Sequence, residues 1–125
     1  MAGGYLDELQ SLLRPVTDEL AAGITLEIRH FFGGAAAFAD GRICISLTPA
    51  GLAMKLPLHH RTELMEFGAQ PLRYFPNAPV KKQYVVVPPE IHKDEAQLTE
   101  WALKSIEHVL TLPPPQRRSR SRPGR

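Results

Sequence analysis

A single cysteine, Cys44, occurs in this chain of 125 residues. It can close no internal disulfide and cannot form a multi-cysteine zinc site, which excludes disulfide scaffolds and zinc fingers and suits the cytoplasm. The opening MAGGYLDELQ lacks a basic segment followed by an apolar one. No uninterrupted apolar run approaches the roughly 18 residues of a membrane span, so neither secretion nor membrane insertion is expected. Metal-ligand spacing is missing too. His30, His59, His60, His92 and His108 include no i, i+4 pair, and the consecutive His59 and His60 would face different sides of a helix. Gly33-Gly34 precedes alanines rather than a lysine and a helix, so it is no phosphate loop and reads as a bend. The adjacent carboxylates Asp7-Glu8, Asp18-Glu19 and Asp94-Glu95 read as solvated helix faces, not acid/base pairs. No catalytic, metal or cofactor-binding residue emerges, and no cofactor is expected.

Charge is present but unevenly placed. The formal net charge is +2, yet Arg117, Arg118, Arg120, Arg122 and Arg125 crowd the last nine positions and all thirteen acids precede Leu112. Up to that leucine, ten basic residues face thirteen acids, a net −3. The division expected is a domain over 1–112 and a disordered basic Pro/Arg/Ser tail over 113–125, whose prolines lack donors and whose arginines repel one another.

Within the body the apolar period marks the elements. Leu6, Leu9, Leu13, Val16 and Leu20 form a helical stripe over about 4–22, which Pro15 should kink or split. Ile24, Leu26 and Ile28 alternate with polar residues in a strand, and Ala35–Ala39 runs to Asp40-Gly41, a dipeptide suited to a type I′ hairpin. Ile43, Ile45 and Leu47 of the next strand are predicted to share its core side, followed by Leu52, Met54 and Leu56 of another. A short helix over about 58–67 starts at Pro57, and strands at 71–75 and 83–87 follow. Asp94 and Gln97 resemble a capping box for a last helix bearing Leu98, Trp101, Ala102, Ile106, Val109 and Leu110. Alternating strands imply an α+β two-layer fold: an antiparallel sheet of five to six strands with helices packed on one face and the other solvated.

Alternation also places Arg29, Arg42, Lys55 and Arg73 away from the inferred core, with Phe31 and Phe75 sharing the parity of Arg29 and Arg73. These four form the candidate interaction surface, a cationic sheet face open to an acidic partner or a nucleic acid; the plain alternative is an ordinary solvated face. Cys44 falls opposite the core set and would be partly exposed if that face is open, in an incidental or structural role.

The segments FFGGAAAFADGRICISL, LAMKLP, PLRYFP and YVVVP, in that order before a Trp-bearing helix, resemble the TfoX N-terminal domain family over about Leu6 to Leu112. The matching motif residues are Phe32, Gly33 and Gly34, then Asp40, Gly41 and Arg42, then Met54-Lys55-Leu56. The family is named for bacterial regulators of competence for DNA uptake that act with the cyclic-AMP receptor protein at promoters, and no enzyme activity is associated with the fold. Family members often carry two basic residues and a Met before Phe-Gly-Gly, where this chain has Arg29, His30, Phe31 and Phe32. The resemblance implies a non-enzymatic, cytoplasmic regulatory or protein-interaction module, monomeric or homodimeric. Its partner would be an unidentified protein such as a component of the transcription machinery. The alternative is a nucleic-acid-associated protein using the cationic sheet face, the arginine tail or both.

Overall fold

A computed structural model of the chain describes residues 4–31 and 33–113. The expected disordered tail lies, from residue 114 on, outside the described residues, as does Phe32. Pro15 splits the first helical stretch: α1 (Gly4–Leu12) ends and α2 (Arg14–Glu19) restarts with the proline in its first turn, where its missing N–H costs nothing. A four-strand meander follows, β1 (Leu26–Phe31), β2 (Gly34–Ala39), β3 (Arg42–Thr48) and β4 (Gly51–Lys55). After α3 (Leu58–Glu66) the chain forms β5 (Gln70–Leu72) at the sheet edge. It then returns as β6 (Lys81–Val86) between β5 and β4, giving the antiparallel order β1-β2-β3-β4-β6-β5. A short α4 (Pro89–His92) and the long α5 (Glu95–Leu110) close the fold. Asp94 caps α5, accepting from the Gln97 amide and side chain at 3.1 and 2.9 Å.

The helices lie on one side of the sheet. Leu9, Leu13 and Val16 from α1 and α2, and Leu98, Trp101, Ala102, Ile106 and Val109 from α5, share one core with Ala35, Ala37, Ala39, Ile45, Leu47, Leu52, Met54 and Val85. Burying each Leu, Ile or Met there contributes about 1.5–3 kcal/mol. The alanines of β2 let α1 approach the sheet closely.

The opposite side is not simply solvated. Ala36, Ser46 and Ala53 share that side of β2, β3 and β4 by register, and all three are fully buried. The segment between β5 and β6 lies over them: Tyr74 meets Phe31 of β1 edge to face at 5.8 Å, and its hydroxyl lies toward that of Ser46. Small side chains along this row make room for the segment. Strand β5 is accordingly shorter than the 71–75 expected, and Phe75 belongs to the crossing segment.

A second departure comes from a bulge. Ala37 pairs with Ile45 but Phe38 pairs with Ile43, so Cys44 is an extra residue in β3. Such an insertion resets the two-residue alternation. Ile45 and Leu47 keep the core side, whereas Ile43 joins Phe38 on the other and Arg42 joins Ala39 on the helix side. The expectation that Ile43, Ile45 and Leu47 share one side is therefore corrected for Ile43. Cys44 is fully buried, not partly exposed, and its thiol donates to the Ala37 carbonyl at 3.3 Å. Beyond Ile45 and Met54 the ladder between β3 and β4 stops. There the buried Ser105 hydroxyl of α5 reaches the Cys44 and Lys55 carbonyls at 3.0 and 2.8 Å.

Two predictions follow from close packing. A Cβ on Gly34 would lie 2.2 Å from the Leu47 carbonyl oxygen, while one on Gly33, at φ +76°, would meet open space. Gly34→Ala should lower unfolding free energy by about 3 kcal/mol and Gly33→Ala by only about 1 kcal/mol, read from urea midpoints; equal losses would contradict the packing. Ser105→Ala removes the single hydroxyl proton that the buried Cys44 carbonyl and the part-buried Lys55 carbonyl share and should cost about 1–3 kcal/mol in the same assay, whereas a neutral result would show that those carbonyls find other donors.

Candidate functional site

The four basic residues expected on one open face are dispersed. Arg29 stands on the second side of β1, its guanidinium 4.0 Å from the centre of the Phe38 ring and 3.6 Å from the Glu27 carboxylate. Lys55 has its ammonium 5.9 Å from the Tyr84 ring on β6. Arg73, just beyond β5 at the opposite edge, donates to the Ala78 carbonyl at 2.7 Å and ties down the crossing segment. Arg42 is not on that side. The bulge turns it toward α5, where it donates to the Leu112 carbonyl at 3.2 Å and to the Asp40 carbonyl at 3.3 Å.

The motif residues hold the sheet together. Asp40 and Gly41 both have positive φ, 48° and 83°, as a type I′ turn requires. The Asp40 carboxylate accepts from the Thr25 amide at 2.9 Å, and its own amide donates to the Thr25 carbonyl at 2.8 Å. The hairpin is thereby fastened to the start of β1, and Arg42 fastens it to the end of α5. Gly33 and Gly34 permit the turn from β1 into β2 and the contact with β3 already described. Asp40-Gly41-Arg42 and Gly33-Gly34 are thus read as structural.

A different constellation gathers where α3 begins and α5 ends. His59 and His60 have ring centroids 4.1 Å apart, and His60 meets Trp101 edge to face at 5.5 Å. The Lys104 ammonium lies 5.5 Å from the same indole. Arg61 donates to the Leu56 carbonyl at 2.9 Å and to that of Lys82, pinning α3 to β6. Burial lowers the pKa of His108, and Lys55, Arg61, His60 and His59 depress it further. Burial likewise lowers that of His60, with His59 and Lys104 adding to the effect and Glu63 and Glu107 opposing it. Lys55, Arg61 and Lys104 give the cluster its cationic character, while the lowered values keep His60 and His108 mostly neutral near pH 7 until acidification or a nearby anion charges them. The run His59-His60-Arg61 after Pro57 was its local trace in the sequence. His108 and Lys104 join it only through the packing of α5.

Burial pushes the Cys44 thiol up to about 12, which leaves it protonated and unreactive at neutral pH. Among the described residues no group of three His, Cys, Asp or Glu stands where it could hold a metal, and no helix is long and apolar enough to cross a membrane. The sheet, α3, α4 and nearly all of α5 coincide with the TfoX N-terminal domain model, which matches residues 18–109. The chain belongs to the TfoX N-terminal domain family. No curated protein matches it. The matched span of this TfoX N-terminal domain includes the Gly-Gly bend, the Asp-Gly-Arg hairpin and His59, His60 and His108, while α1 precedes it.

The histidine shifts carry a pH prediction. Because the folded state disfavours protonation of His60 and His108, the unfolded chain binds more protons as pH drops. This contribution to stability is complete above the ordinary histidine value of about 6.5 and lost as pH falls through the depressed folded values. The melting temperature should fall between about pH 7.5 and about pH 5.5, and fall less in a His60→Gln/His108→Gln variant. An identical decline in both proteins would remove these histidines as the cause.

Proposed function

We propose that this TfoX N-terminal domain is a non-enzymatic, cytoplasmic regulatory module that acts by binding another protein through the outer side of α3. The observation that carries this reading is how little of α3 the fold uses: Leu64 is its only fully buried residue. Leu58 and Met65, seven residues apart on one side of the helix, are 68% and 43% exposed, and Phe67 just after it is 64% exposed. Large apolar side chains held outward by a fixed helix are what an interface core is made from. Beside them stand Lys55, Arg61 and the histidines, so the matching partner has an apolar pocket with an acidic rim. The family resemblance supports a component of the transcription machinery as that partner.

Replacing Leu58, Met65 and Phe67 with Ser should leave the melting temperature within a few degrees of the parent, because none is in the core. Capture of the partner from extracts of the source cells should weaken at least tenfold, about 1.4 kcal/mol. Undiminished capture by a folded triple variant would move the contact elsewhere. The cationic cluster favours a second reading, nucleic-acid association. DNA retardation by the parent that fades with salt, and is lost in Lys55→Gln/Lys104→Gln, would support it over the first.

A further inference from the structure

Along the outside of α5, between it and α1–α2, three shallow depressions join into one groove. The depression nearest the C-terminal end of α5 is lined by Ile24, Leu110 and Glu107, and shares Glu19, Glu100 and Leu103 with the middle one. The middle one shares Pro15 and Glu95 with the third, which reaches Glu8 and Leu12 on α1. The groove therefore runs the length of α5 with an apolar floor and five carboxylates, Glu8, Glu19, Glu95, Glu100 and Glu107. The lysines along it are Lys93 and Lys104, and the ammonium of Lys104 lies 3.5 Å from Glu100. It adjoins the α3 surface at Lys104 and Glu107 and carries the opposite sign of charge along the rest of its length.

We propose that this groove receives the chain's own arginine-rich C-terminal segment, residues 114–125. Three observations converge on that occupant. The described chain leaves α5 at the groove's end: Leu110 lines it, and Leu112 packs against the core with its carbonyl held by Arg42. The segment then carries Arg117, Arg118, Arg120, Arg122 and Arg125 and no acid, opposite in sign to the groove. Its length suffices. The 16 residues of α5 span about 24 Å at the helical rise. Twelve residues in an extended proline-type conformation span about 37 Å, enough to reverse and run back to the first turn of α5. Pro114 and Pro115 would cover Leu110 and Leu103, and the arginines would face Glu19, Glu100, Glu95 and Glu8 in turn, as charge-assisted pairs on an apolar floor. The occupied groove would cancel much of the acidic field of the helical side, and an acidic partner or a phosphate chain competing for the arginines would free it.

The test uses the full chain with a nitroxide attached at Ser121→Cys, since the buried Cys44 does not compete for the label. At about 0.1 M salt the nitroxide should broaden the amide signals of α5 and α1 residues along the groove. The broadening should vanish at about 1 M salt, where the screening length falls from about 10 Å to about 3 Å. It should also vanish in a Glu19→Lys/Glu100→Lys variant whose spectrum shows the same fold, and fall partway in Glu19→Gln/Glu100→Gln. No broadening along the groove, or broadening indifferent to salt and charge reversal, would overturn the proposal. So would broadening that arises only when a nitroxide-labelled chain is mixed with an isotope-labelled chain bearing no nitroxide, because the occupant would then be the segment of a second copy.

Discussion

One additional residue in β3 governs much of this domain. Without Cys44 as the extra position, Arg42 would fall on the opposite side of the sheet from the one it occupies, and Ile43 would sit in the main core. With it, Arg42 reaches the Leu112 carbonyl beyond the end of α5. The Asp40-Gly41 hairpin, the start of β1 and the last helix are drawn to one corner. The bulge also stands where β3 and β4 part, and the Ser105 hydroxyl is shared between the Cys44 and Lys55 carbonyls left there. The thiol of the extra residue bonds to the Ala37 carbonyl across the irregularity. A buried cysteine, small and weakly polar, suits that position better than a larger or charged residue would.

The two sides of the sheet are closed by different means. Helices with leucine stripes cover one, packing onto alanines in β2 and larger aliphatic residues in β3 and β4. On the other, a row of Ala36, Ser46 and Ala53 admits the segment between β5 and β6, whose Tyr74 reaches back to β1. Residues expected to advertise a binding face are employed in this closure: Arg29 lies on Phe38, and Arg73 clamps the crossing segment. On the helical side and at its edges the surface is of another kind. A lightly buried α3 there carries apolar and cationic groups, and α5 with α1 and α2 presents acids.

The charge separation gives the family fold in this chain two unlike surfaces on one rigid body. Lys55, Arg61, His59, His60 and His108 gather beside α3, Glu8 and Glu95 lie toward the start of α5, and Lys104 with Glu100 and Glu107 stands between the two. Opposed surfaces of this kind orient an approaching charged partner as well as attract it. The exposed Leu58, Met65 and Phe67 of the one and the glutamates of the other lie outside the core, so these side chains can be altered with little effect on folding.

Local chemistry determined most of the elements. Pro15 had to split the first helix, Asp40-Gly41 had to turn, and Asp94 with Gln97 had to cap α5, because each depends only on residues within a few positions. The α+β class, the helices on one face and the TfoX N-terminal domain family were legible for the same reason, from period and from motifs in order. Which side each strand residue faces was legible for Ile45 and Leu47 and for Leu52, Met54 and Leu56 in and after β4, but not at the start of β3. Alternation assumes an unbroken ladder, and nothing local in Arg42-Ile43-Cys44-Ile45 announces the extra residue, so the phase of Arg42 was inverted. The burial of Ala36, Ser46 and Ala53 was likewise hidden, since it comes from a segment more than twenty residues away folding over them. The same holds for the cluster of His59, His60 and His108 and for the groove along α5. The sequence shows each charge, but only packing of distant elements decides which charges share a surface, because electrostatic neighbourhood is a property of space and not of order along the chain.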